Sequence, residues 1–134
     1  MRISEQVGIL EEVGPGDAPL ADPAEDVRGR EVRDRTGALV GRVHALLVDD
    51  REHRVRLLCV RLPDRAPSWL VPVDAVSRIA QGQVTLNRTL AHVAATPTLG
   101  RAPVTQRHLE SVYAHYGLYP YWAPGYVYPT YPAY

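Results

Sequence analysis

Between Asp26 and Leu86 no apolar run is long and periodic enough to be a core helix, and short apolar stretches are cut at regular intervals by turn residues. That spacing is how a small all-β barrel reads. Strands are expected at Arg30 to Asp34, Leu39 to Val48, Arg54 to Leu62, Trp69 to Val73 and Val84 to Leu86, with Arg78 and Ile79 continuing the chain before the last of these. Asp34-Arg35-Thr36-Gly37 marks a tight turn in which glycine supplies the positive φ. Gly41 reads as a bulge or bend, and Pro72 confines its strand to an edge or bulge, because proline cannot donate to a ladder. Five to six short strands close most economically as a barrel, which removes exposed edges. Val43, Leu47, Leu58, Val60, Leu70, Val73 and Val76 are the expected interior residues.

A barrel of that length sits near the lower limit for a self-sufficient core, so flanking segments or a partner chain must contribute. Residues 1–26 form an acidic arm in which Arg2 stands against seven acidic residues, and the rest of the chain is correspondingly basic. Gly14, Pro15, Gly16, Pro19 and Pro23 make the arm extended, with at most a short strand near Val7. Its charge either serves solubility alone, the plainer reading, or lets the arm pack on an arginine-rich face.

Residues 27–90 are assigned to the barrel, 91–118 to a helical extension and 119–134 to a Tyr/Pro-rich tail. Asn87 to Ala95 can form one or two helical turns, with Leu90 and Val93 on one side. A clearer helix runs from Thr105, its N-cap, to Tyr116. Leu109, Val112, Tyr113 and Tyr116 form its apolar stripe, and Gly117 with Leu118 forms its C-terminal cap. All eight tyrosines lie between Tyr113 and Tyr134. Proline holds the tail extended, which lowers the entropy lost on docking, and each tyrosine offers a rigid face and a hydroxyl. The tail is therefore read as a strap across a surface rather than a free sticky segment. Tyr119, Tyr121, Trp122, Tyr126, Tyr128, Tyr131 and Tyr134 are the candidate partner-binding residues.

Catalytic chemistry is not legible. No GxSxG, P-loop, GxGxxG or HExxH string occurs, and His44, His53, His92, His108 and His115 are scattered, which makes surface histidines the default and argues against a metal or cofactor. Asp49, Asp50 and Glu52 read as a solvated turn, and Asp74 as a cap on the corner after Val73. Cys59, the sole cysteine, reads as a small buried hydrophobe. All fifteen basic residues are arginine; with only Trp69 among them in the barrel to stack on bases, ion pairs with acidic side chains and the arm are the expected fate of these arginines, and nucleic acid is disfavoured as a partner. No apolar run approaches a membrane span, and no basic segment with an apolar h-region opens the chain, so a cytoplasmic location is expected.

Val27-Arg28-Gly29-Arg30-Glu31-Val32, Leu39-Val40-Gly41-Arg42-Val43, Leu47-Val48-Asp49, Arg54 to Val60 and Leu70-Val71-Pro72-Val73-Asp74-Ala75-Val76 together resemble a PRC-barrel domain. This is the barrel shared by the photosynthetic reaction-centre H subunit and the C-terminal domain of the ribosome maturation factor. Pro97 to Trp122 resembles an extension on some stand-alone bacterial members. The resemblance implies a non-catalytic scaffold that presents barrel faces to protein partners. The expected role is a homo-oligomer or an adaptor for another protein, and RNA or ribosome association through the arginines is the alternative. The transmembrane helix of the one relative and the separate N-terminal domain of the other have no counterpart here, which argues against either specific role.

Overall fold

The structure, a computed structural model, describes residues 2–4, 8–62, 68–98 and 104–132. The expected β architecture is present as a curled half-barrel followed by a helix. Its strands are β1 (Arg2–Ser4), β2 (Gly8–Val13), β3 (Glu31–Arg33), β4 (Leu39–Asp49), β5 (Val55–Arg61), β6 (Trp69–Pro72), β7 (Val76–Ala80) and β8 (Gln83–Leu86). Two helices follow, α1 (Leu90–Ala94) and α2 (Gln106–Tyr116).

The eleven-residue β4 is the hub. At about 3.3 Å per residue it is long enough to carry two short neighbours end to end on one edge. Its first half pairs with β3 (Glu31↔Arg42, Val32↔Gly41), and its last residues pair with β2 (Leu10↔Asp49 through Val13↔Leu46). Along the other edge it pairs with β5, from Arg42↔Arg61 to Val48↔Val55. Beyond β3 the sheet continues through a parallel pairing with β8 and then antiparallel to β7, while β6 pairs only with β5. Pro72 thus ends a terminal strand, where its missing N–H leaves no gap in a ladder. A 3-10 turn over Val73–Ala75 carries the chain from β6 to β7, the two ends of this ladder.

The arm departs from expectation. Gly8–Val13 is a full strand, longer than the short piece expected near Val7, and Leu10 is buried. The reason is tertiary: the second half of β4 has an open edge, and pairing there outweighs local propensity, while apart from Gly8 the glycines and prolines begin only after Val13. All seven expected interior residues are buried. Every residue from Val55 to Val60 is buried: β5 lies between β4 and β6, α1 packs on both of those strands and α2 on β6, and the C-terminal segment lies over Val55 and Arg56.

Helix α2 is built from its sequence signals. The Thr105 hydroxyl accepts from the His108 N–H at 3.1 Å, and Gly117 adopts the left-handed conformation at φ 67° while the Leu118 N–H reaches the Tyr113 carbonyl at 3.0 Å. The expected stripe of Leu109, Val112, Tyr113 and Tyr116 is buried. Each such side chain contributes roughly 1.5–3 kcal/mol relative to exposure. His108 is buried as well, which corrects its reading as a surface histidine. It lies four residues before Val112, so the buried face is one residue wider than the apolar letters alone indicate. Thr89 caps α1 in the same way, accepting from the His92 N–H at 3.2 Å, and Val93 is buried beneath it.

Candidate interaction surface

Arg56 is the second residue of β5, and the alternation of the sequence places it at the half-exposed start of a strand. It is buried, which corrects that reading. Its Nε donates to Asp49 Oδ2 at 2.6 Å, and its Nη2 lies 3.4 Å from Glu52. Asp49 is buried in turn, and its other oxygen accepts from the backbone N–H groups of Arg51 and Glu52. The expected solvated turn is therefore an anchor for a buried ion pair. Burial is the largest single influence and opposes the charged form of Arg56, but the bond to Asp49 together with the charges of Asp49 and Glu52 outweighs it, and the guanidinium's pKa is raised.

The tail lies over this guanidinium. The rings of Tyr121, Tyr128 and Tyr126 stand 4.8, 5.4 and 5.9 Å from the Arg56 carbon, and Tyr128 also lies 3.5 Å from that of Arg54. Three strap hydroxyls find protein acceptors. Tyr126 donates to Asp74 Oδ2 at 2.9 Å, Tyr128 to the Val55 carbonyl at 2.9 Å and to Glu25 Oε1 at 3.2 Å, and Tyr131 to the Glu25 carbonyl at 2.7 Å. Burial pushes the Tyr121, Tyr126 and Tyr128 hydroxyls well above their ordinary pKa. Trp122 closes the strap onto α2, edge-on to Tyr113 at 5.8 Å.

The strap reading holds, and the surface it crosses is its own barrel. Tyr131 is buried, Tyr121, Trp122, Tyr126 and Tyr128 are half-buried, and Tyr119 stands 77% exposed. Tyr134 lies outside the described residues. The receiving groups, Arg56, Glu25 and Asp74, carry no sequence signal for this role. Asp74 corrects its reading as a simple corner cap: the turn at Val73–Ala75 has no side-chain cap, and the carboxylate holds Tyr126 instead. Burial raises the pKa of Asp74 against the opposing bond from Tyr126.

Arg28 pairs with Asp26 at 2.6 Å and donates to the Gly14, Asp17 and Ala18 carbonyls, so the arm is pinned to its own barrel by backbone groups. Glu25 is buried and accepts from the Val55 N–H at 3.1 Å. Cys59 is buried and its thiol is pushed up to about 12 by desolvation, as a structural cysteine's would be. Among the described residues no three metal-ligating side chains gather, and no helix is long and apolar enough to cross a membrane.

The half-barrel hub and the turn at Pro72 are matched by a family model for the PRC-barrel domain over residues 21–91. The chain belongs to the PRC-barrel domain family. Its members are in general a non-catalytic domain family. No curated protein matches the chain. The matched span takes in Glu25, β3 to β8, Asp49, Arg56 and Asp74, whereas α2 and the strap lie beyond it. The receiving groups therefore sit in the PRC barrel, and the tyrosines that use them sit in the extension.

Proposed function

We propose that this PRC-barrel chain is a non-catalytic protein-interaction scaffold of the cytoplasm that self-associates through its barrel faces and the outer side of its strap. The observation that carries this reading is the two-sidedness of the strap. Its inner side binds the barrel, while Tyr119 and Val127 stand 77% and 81% exposed on the outside. Large apolar side chains held outward on an anchored segment lose little entropy on docking, and a patch this small fits a reversible contact. The alternative, RNA or ribosome association, has less to draw on, because Arg28, Arg33 and Arg56 are held by carboxylates within hydrogen-bond distance.

Light scattering at matched concentrations tests the proposal on the full chain and on a Tyr119→Ser/Val127→Ser variant, which leaves the inner contacts intact. A mass above the monomer that falls in the variant is expected. A monomeric full chain across the concentration range overturns self-association.

A further inference from the structure

The arm and the barrel enclose an open cleft of about 500 Å³, away from the strap, lined by Pro15, Gly16 and Asp17 of the arm and by Arg28, Gly29, Arg42, Val43, His44 and Arg61 of the barrel. Arg42 and Arg61 are direct cross-strand partners in β4 and β5. Like charges placed opposite each other destabilise a sheet unless an anion lies between them. The available carboxylates do not fill that role. Glu31 Oε2 is 3.8 Å from Arg42 Nη2, beyond hydrogen-bond distance, and its Oε1 is held by Arg33 at 2.5 Å. Among the described residues Arg42 otherwise donates only through Nη1 to the Gly29 carbonyl at 3.1 Å, while Arg61 has no ion pair or hydrogen bond.

His44, two residues after Arg42 on β4, lines the same cleft and brings an imidazole with no hydrogen-bond partner among the described residues. Arg28 is already engaged by Asp26 and the arm carbonyls, so it builds the wall rather than the binding group. Asp17 is the one carboxylate lining the cleft, and its Oδ2 accepts from the Gly14 N–H at 2.7 Å.

The geometry points to a binding site for a small phosphomonoester, its phosphate held between the Arg42 and Arg61 guanidiniums with His44 as a further donor and its organic body against Pro15. Two guanidinium forks and an imidazole supply more donors than a planar carboxylate can accept, and they suit a tetrahedral dianion. The cleft is also far larger than a bare phosphate needs, which assigns the remaining volume to the organic part. This site stands independently of the scaffold reading, because it shares no residue with the strap.

Calorimetric titration of the full chain with phenyl phosphate and, separately, with inorganic phosphate tests the site. Phenyl phosphate is expected to bind saturably and more tightly than inorganic phosphate. Its affinity should fall roughly tenfold or more in Arg61→Gln and in Arg42→Gln. Arg78→Gln, an exposed arginine on β7 outside the cleft, should leave binding unchanged. Thermal unfolding of each variant establishes that it is folded. Absence of saturable binding, equal affinity for the two probes, or equal loss in Arg78→Gln overturns the proposal.

Discussion

The Tyr131 hydroxyl donates to the backbone carbonyl of Glu25 at 2.7 Å, joining residues 106 positions apart in a buried site. The arm and the strap are thereby fastened to each other as well as to the barrel. Tyr131→Phe removes the donor and leaves a buried carbonyl unpaired, at a cost of about 1–2 kcal/mol. Urea unfolding of the full chain measures it. An unchanged midpoint would mean that the end of the strap is not docked in solution.

Arg56 allows a sharper test, because its partner Asp49 is buried with it. Arg56→Ala strands that carboxylate and should cost about 3–5 kcal/mol, whereas an Asp49→Ala/Arg56→Ala double variant should lose much less than the two single losses added. Arg56→Met should be milder than Arg56→Ala, since its chain still fills the space beneath Tyr121, Tyr126 and Tyr128. Denaturant curves on the four variants give the coupling. Additive losses would show that the pair is not formed.

The barrel was legible because its signals are local. Alternation, the Asp34 to Gly37 turn and Pro72 each act within a few residues, and Thr105 and Gly117 bound α2 by the same logic. The strap's tyrosines could be recognised as surface-seeking groups, but not the surface they seek. Arg56 reads as half-exposed by alternation, and its burial is made tolerable by the buried Asp49 carboxylate together with a segment more than sixty positions later. Strand β2 escaped for a related reason: what forms it is the open edge of β4, not its own composition. Contacts set by long-range pairing leave little local trace.

Two groups of ionisable residues each make stability fall as pH is lowered, in two different intervals. Asp34 is held down at about 2 from its ordinary 3.8 by the Thr36 hydroxyl and by the N–H groups of Leu90, Ala38 and Thr36. A carboxyl with a depressed folded pKa contributes stability that is complete above 3.8 and is lost as pH falls toward 2. Asp34→Asn should therefore flatten the acid limb of a plot of melting temperature against pH. His92, by contrast, is held below 6.5 by burial, then by the neighbouring His115 and Arg88, and His108 by burial alone. A histidine kept neutral in the fold gives stability that is complete above 6.5 and declines as pH falls below it. Melting temperature should thus drop between pH 7.5 and pH 5.5, and His108→Leu should reduce the drop. A flat profile over that interval in the natural sequence would contradict both assignments.

Gly41 tests the register of the hub. It pairs with Val32 on one side of β4, and on the other a Cβ at this position would stand 2.5 Å from the Arg61 carbonyl oxygen and 2.7 Å from its carbon. These are backbone atoms, held by the Arg42↔Arg61 and Val43↔Val60 pairings, so they cannot swing aside as a flexible side chain would. The glycine is required by close approach, where β5 leaves the sheet at Leu62. Gly41→Ala must push β4 and β5 apart at that point and should cost about 1–3 kcal/mol, in the range of an overpacked core. Gly37→Ala provides the contrast, because that glycine has open space around its Cβ position and is strained only by its φ of 91°. Hydrogen exchange separates the two: Gly41→Ala should speed exchange of β5 amides near Arg61, whereas Gly37→Ala should act on the turn alone. Unaltered protection in β5 with Gly41→Ala would mean that the two strands do not approach each other as closely as this pairing requires.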